Sequence, residues 1–133
     1  MSAIFVDTSV LLPLLDADDR DHEDVVAAVE QIVASGDSLV TSSYTLVEAG
    51  ALVRRRLGVR PFRNLGEVAS RAMDVIWVDE DVHDRAWAAA STGRRKGPSF
   101  VDQVSFVIMQ DLGLDTALAI DRHFERAGFT TIP

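Results

Sequence analysis

Four carboxylates stand where acids can do chemistry: Asp7, Glu48, Asp102 and Asp121. Asp7 closes the apolar run Ile4-Phe5-Val6, and Asp121 closes another over 116–120. Glu48 and Asp102 fall within helical stretches, near apolar stripes. A short apolar run with β-branched residues reads as a buried strand of a parallel sheet, and open α/β sheets form ligand sites at the carboxyl ends of their strands. If the two strands are neighbours, Asp7 and Asp121 meet at one edge, and helices entering there bring Glu48 and Asp102 alongside. Two unit charges about 4 Å apart repel by roughly 1–4 kcal/mol at effective dielectrics of 80 to 20, so such a cluster needs a cation or shared protons. An acidic, all-oxygen pocket suits Mg²⁺ or Mn²⁺, hard ions that also bind phosphate oxygens. The chemistry implied is metal-assisted hydrolysis of a phosphodiester. Taken alone, Asp7 has a simpler reading: with Thr8 and Ser9 it caps the following helix by satisfying free N–H groups.

The elements that must position these acids alternate from end to end. Strands are expected at 4–6, 38–41, 74–78, 116–120 and 129–132. Between them the periodicity predicts a helical turn over 11–15, then helices over 21–34, 43–57, 61–73, 80–90 and 99–113, and a brief one over 122–127. Val25, Val26, Val29, Ile32 and Val33 form the apolar face of the second. Tyr44, Val47, Ala51 and Leu52 face inward on the next, with Glu48 beside that stripe. Val101, Val104, Val107, Ile108 and Leu112 build the core face of the helix that carries Asp102. Ser99 caps that helix, Asp79 caps the one before it, and Pro61 suits a first turn. The acids of 16–24 lack a calcium loop's pattern, because Arg20, Asp21 and Ala27 occupy positions that need an oxygen ligand, a glycine and a bidentate Glu. The pattern as a whole implies an α/β fold: a three-layer sandwich with a central, mostly parallel sheet of four to five short strands, flanked by helices. There is no repeat and no linker, so residues 1–133 read as one domain.

Composition narrows the class. With 47% hydrophobic and 26% charged residues the chain resembles an ordinary globular protein. No apolar run approaches the roughly 18–20 residues of a membrane span, and the N-terminus lacks a signal peptide's pattern, so a cytoplasmic protein without a membrane partner is expected. There is no cysteine, which excludes thiolate metal sites. The net charge of −8 has the wrong sign for a general nucleic-acid binder. The basic residues are clustered, however, at Arg54–Arg56 with Arg60 and Arg63, and again at Arg94, Arg95 and Lys96. The second cluster lies in the one loop rich in glycine, proline and basic residues, and with Arg122 it offers phosphate contacts. His22 and His83 sit in acidic helix starts and read as surface residues. His123 follows Asp121 within reach of a substrate, but beside Phe124 it reads as packing. Trp77 and Trp87 fill the core or a dimer face.

FVDTSV, SSYTLVEAGAL, SFVDQVSFVIM and AIDRHFERAGF together resemble the four motifs of PIN-domain ribonucleases, and within them the VapC-type toxins of bacterial toxin–antitoxin pairs. The resemblance covers the whole chain with the motifs in order. It implies a PIN-like fold and an Mg²⁺- or Mn²⁺-dependent endoribonuclease, with Asp7, Glu48, Asp102 and Asp121 as the metal-binding catalytic quartet. Asp7 and Asp102 become the direct ligands, and Thr8 and Ser9 the hydroxyls that support them. It further implies an RNA substrate, a homodimer, and a cognate antitoxin whose C-terminal segment occupies the active-site groove. Ala119 departs from the pattern, since many members carry a hydroxyl residue two positions before the last Asp; a lost hydrogen bond there would loosen Asp121. A haloacid-dehalogenase-type phosphatase is excluded by Ser9, which stands where its second Asp belongs. A receiver domain is excluded by the lack of paired acids and of a late lysine. A housekeeping RNA-processing nuclease and a catalytically weak interaction module of the same fold are the remaining alternatives.

Overall fold

The structure, a computed structural model, describes residues 2–133. Five strands form one sheet among these residues: β1 (Ala3–Val6), β2 (Ser38–Ser42), β3 (Met73–Ile76), β4 (Thr116–Leu118) and β5 (Thr130–Ile132). The helices are α1 (Thr8–Leu15), α2 (His22–Ala34), α3 (Ser43–Leu57), α4 (Val59–Ala72), α5 (Glu80–Ser91), α6 (Phe100–Leu112) and α7 (His123–Arg126). All strand pairings are parallel and the order is β3-β2-β1-β4-β5. The chain builds outward from β1 through β2 and β3, then returns to place β4 on the other side of β1. The order therefore reverses between β1 and β4, the place where an open α/β sheet forms a crevice outside the carboxyl ends of its strands.

Side-chain alternation along the strands sorts the core into two layers. Ile4, Val6, Leu39 and Leu118 point to one face and pack with Val10, Leu11, Val25, Ile32, Val53 and Leu65 from α1 to α4. Phe5, Val40, Ala117 and Ala119 point to the other and pack with Ala86, Val104, Ile108, Met109 and Phe124 from α5 to α7. The expected three-layer sandwich is thus the observed one. The starts of α5 and α6 follow the expected caps, and Ser42 caps α3 in the same way: Ser42, Asp79 and Ser99 each accept a backbone N–H of the first turn.

Several inward faces differ from expectation. On α3 the buried residues are Ser43, Thr45, Ala49, Gly50 and Val53, whereas Val47 is 72% exposed and Ala51 is also exposed. This helix packs against both α1 and α4, and its small residues face the contact: a Cβ on Gly50 would come within 3.2 Å of the Phe62 ring. Close helix approach has overridden the larger apolar residues. Val33 and Leu112 are likewise exposed, and Phe106 and Met109 take the buried places on α6. Trp77 is 79% and Trp87 59% exposed, so neither fills the core. β4 stops at Leu118, short of the expected end at 120, because the chain bends away there. The Ala119 N–H donates to Ile132 O, and the Ile120 N–H donates to the Ser9 hydroxyl oxygen instead.

Candidate metal centre

Asp7 stands one residue past β1 and caps α1, its Oδ2 accepting the Ser9 N–H at 3.1 Å. Both readings of Asp7 therefore hold together: it caps the helix and it lies at the strand's end. Its backbone N–H donates to Leu118 O at 3.0 Å, which locks it against β4. The Thr41 hydroxyl donates to Val6 O at 2.9 Å from β2. The Ser9 hydroxyl accepts the Ile120 N–H at 3.0 Å and so fastens the segment leading to Asp121 onto the start of α1. Ser9 is thus a staple between the two crevice walls.

Asp102 enters from the first turn of α6 through a capping box. The Asp102 N–H donates to Ser99 Oγ at 3.1 Å, and the Ser99 N–H donates back to Asp102 Oδ2 at 2.9 Å. The same Oδ2 is bonded to His123 Nδ1 at 2.8 Å. Among the described residues both bonds of the Asp102 carboxylate fall on this one oxygen, which leaves Oδ1 for another ligand. Asp121 Oδ1 accepts the His123 N–H at 3.0 Å, an Asx turn that opens α7, and lies 3.8 Å from His123 Nδ1. One ligand atom each from Asp102, Asp121 and His123 falls within 4.8 Å of the others. The turn holds Asp121 without any hydroxyl at position 119. Ala119 itself is buried in the layer of Phe5 and Phe124.

Asp7 is 2% exposed. Burial pushes its carboxyl up to about 7, against the lowering effect of the bonds from Ser9, and the charges of Asp121 and Asp102 push the same way. Among the described residues no arginine or lysine forms an ion pair with Asp7, Asp102 or Asp121. Thr8 Oγ1, next to Asp7, is buried with no hydrogen-bond partner. A buried acid without a cation, two further carboxylates within its field and an orphaned hydroxyl together fit a hard divalent cation held by oxygen, with an imidazole at its edge.

The other expected residues separate. Glu48 is exposed on α3 and lines a small cavity of about 260 Å³ with Tyr44, Val47, Phe100 and Val101, so it stands at the rim beside Asp102's neighbours. It is not in the group of close ligand atoms. Arg94, Arg95 and Lys96 are exposed in the α5–α6 loop. Lys96 shares a cavity of about 240 Å³ with His123 and Arg126, which brings the loop to the edge of the acids. Arg122 is exposed at the start of α7. On the other flank of Asp121 a groove of about 480 Å³ runs past Thr8, Ser9, Ile120 and Leu52 to Asp19 and Arg20. His123 was read from the sequence as packing; its ring instead joins two of the acids. The available signal was its place two residues after Asp121, the spacing of an Asx turn. His83 was read as a surface residue but is half-buried, its Nδ1 bonded to the Tyr44 hydroxyl at 2.5 Å.

The profile of the PIN domain matches residues 4–130. The sequence is 33% identical over 97% of its length to the 23S rRNA-specific endonuclease VapC20 of Mycobacterium tuberculosis, of which it covers 97%. It is 30% identical to ribonuclease VapC26 of the same organism, covering 98% of this chain and all of that one. The crystal structure of VapC20, described as a sarcin-ricin loop cleaving toxin, superposes with a TM-score of 0.84 at 32% identity, covering 96% of both chains. FitAcB of Neisseria gonorrhoeae shares the fold, with a TM-score of 0.64 at 20% identity over 98% of this chain and 96% of that one.

Proposed function

The chain belongs to the PIN-domain family, and from that premise we propose that it is a metal-dependent endoribonuclease acting as the toxin of a toxin–antitoxin pair. The observation that carries the reading is the convergence of Asp7, Asp102 and Asp121 at the carboxyl ends of β1 and β4, with no arginine or lysine among the described residues paired to them. Asp7 and Asp102 would hold the cation, Asp121 would support it, and Glu48 would contribute from the rim. A Mg²⁺ or Mn²⁺ ion there would supply charge for the attacked phosphate and make water a better nucleophile. His123 fixes the Asp102 carboxylate through Oδ2, so that Oδ1 faces its task pre-oriented. Ser9 keeps the two crevice walls in register, and Thr41 ties β2 to the end of β1. Arg94, Arg95, Lys96 and Arg122 take the RNA backbone as bidentate or point-charge phosphate contacts.

The whole chain forms one nuclease domain in this reading, working in the cytoplasm as a homodimer. Among the described residues no helix is long and apolar enough to cross a membrane. Its cognate antitoxin lays a C-terminal segment across the groove, and an arginine or lysine on that segment replaces the missing cationic partner of the acids. The relatives' names make 23S rRNA the first RNA to test. Purified protein incubated with ribosomal RNA and with short single-stranded RNA should cleave in Mg²⁺ or Mn²⁺ and stop in EDTA. Cleavage that persists in EDTA, or none with either metal, contradicts the reading.

A further inference from the structure

The helix that follows β3 brings a set of aromatic rings to the same rim as Glu48. Tyr44 of α3, His83 and Trp87 of α5 and Phe100 of α6 form one connected cluster. His83 stacks on Trp87 with ring centroids 5.7 Å apart and planes 21° from parallel. Phe100 meets Trp87 at 5.2 Å and 74°, and Tyr44 at 5.8 Å. The Tyr44 hydroxyl bonded to His83 Nδ1 ties α3 to α5 and holds the imidazole under the indole. Trp87 thus has a stacked ring on one side and yet remains 59% exposed. Packing alone does not call for a tryptophan there. Phe100 and Tyr44 also line the cavity that contains Glu48 and Val101, the residue before Asp102. The platform therefore meets the Glu48 rim next to the first turn of α6, the turn that carries Asp102.

We propose that this aromatic platform, with Trp87 as its exposed ring, stacks an unpaired nucleobase of the RNA substrate beside the cleaved bond. The inference rests on the ribonuclease reading and adds how the substrate is gripped. Two features favour a base over another occupant. The basic loop bearing Arg94, Arg95 and Lys96 joins the end of α5, one turn beyond Trp87, to Phe100 and Asp102 at the start of α6. A strand whose phosphates follow that loop presents its bases towards the rings. The rings are also pre-ordered by one another, so a base stacks on a surface that need not rearrange. Aromatic stacking tolerates any base identity but requires that the base be unpaired. Single-stranded loops are accordingly the favoured substrate over duplex RNA.

The two tryptophans of the chain make the test direct. In a Trp77→Phe background Trp87 is the only indole, and its emission is followed on adding a single-stranded RNA oligonucleotide in EDTA at low salt. Quenching by the single strand and not by a matched duplex is expected. Trp87→Ala should weaken binding about 5- to 150-fold, the equivalent of ~1–3 kcal/mol for one stacked base, and Trp87→Tyr should restore most of it. Trp87 is exposed, so its truncation leaves the core intact. Unchanged emission at saturating RNA, or Trp87→Ala binding within twofold of its parent, overturns the proposal. So does a Trp87→Ala variant that loses self-association in sedimentation but keeps its RNA affinity, which makes the platform a contact between copies. Cleavage by the parent in Mn²⁺ tells these failures apart from failure of the ribonuclease reading itself, which would show no cleavage at all.

Discussion

His123 Nδ1 lies 2.8 Å from Asp102 Oδ2, a bond that joins the start of α7 to the first turn of α6. A carboxylate only accepts, so with Asp102 ionised Nδ1 carries the proton of this bond. The same residue donates its backbone N–H to Asp121. One histidine therefore orients two acids that, among the described residues, have no other cationic partner.

Removing that ring should loosen the site without unfolding it. His123→Ala should weaken Mn²⁺ binding about 10- to 100-fold, the usual cost of losing a partner that orients a metal ligand. Titration calorimetry with Mn²⁺ reads this directly. An affinity within twofold of wild type shows that Asp102 needs no help from His123.

Asp7 gives the metal-free protein a defined pH response. Its carboxyl ionises at the ordinary 3.8 in the unfolded chain and about 7 when folded, chiefly through burial. The folded state therefore keeps a proton that the unfolded state releases between these values. The stability this contributes is complete below pH 3.8 and is lost as pH rises through 7, a fall of about 4 kcal/mol for the net shift. In EDTA the urea midpoint should drop as pH is raised from 5 to 8, and Asp7→Asn should flatten that slope. A slope unchanged by the substitution contradicts the assignment to Asp7.

Glu48 and Asp102 should not be equal. Asp102 is buried and doubly bonded through Oδ2, while Glu48 is exposed at the rim. Asp102→Asn should lower RNA cleavage by orders of magnitude, and Glu48→Gln by about tenfold or less at saturating metal. Rates measured across a Mn²⁺ series distinguish the two; equal losses at high Mn²⁺ would place Glu48 among the direct ligands.

Ser9→Ala removes the staple to Ile120 and leaves that N–H without its partner. The loss should cost about 1–2 kcal/mol of stability and raise the metal concentration needed for half-maximal cleavage. Thermal unfolding and a metal titration check both. A stability change without any effect on metal requirement would confine Ser9 to holding the fold.

Much of this was legible in the chain. The short apolar runs ended by Asp7 and Asp121 gave away the parallel sheet and its functional edge, because a strand buried on both faces loses alternation and polar residues mark where it leaves the core. Helix ends were readable from Asp79, Ser99 and Gly113, since caps are local chemistry. The inward face of α3 was not. It is set by the fit of Ala49 and Gly50 against neighbouring helices, which hydrophobicity alone does not encode. The role of His123 was hidden for a similar reason: its partner is 21 positions away in sequence, and only the packing of α7 on α6 brings them together.

The central claim, that these acids form one divalent-cation site, is tested most directly by thermal unfolding of wild type, Asp7→Asn and Asp102→Asn, first in EDTA and then in millimolar Mn²⁺. Without metal the clustered carboxylates repel in the folded state, so neutralising Asp7 should raise the melting temperature by several degrees. Metal should then stabilise wild type by about 2.7 kcal/mol at a hundredfold excess over its dissociation constant, and both variants far less. The order of wild type and Asp7→Asn is expected to invert between the two buffers. If instead both variants melt below wild type by the same margin in EDTA and in Mn²⁺, the acids only cap helices, and the metal site does not exist.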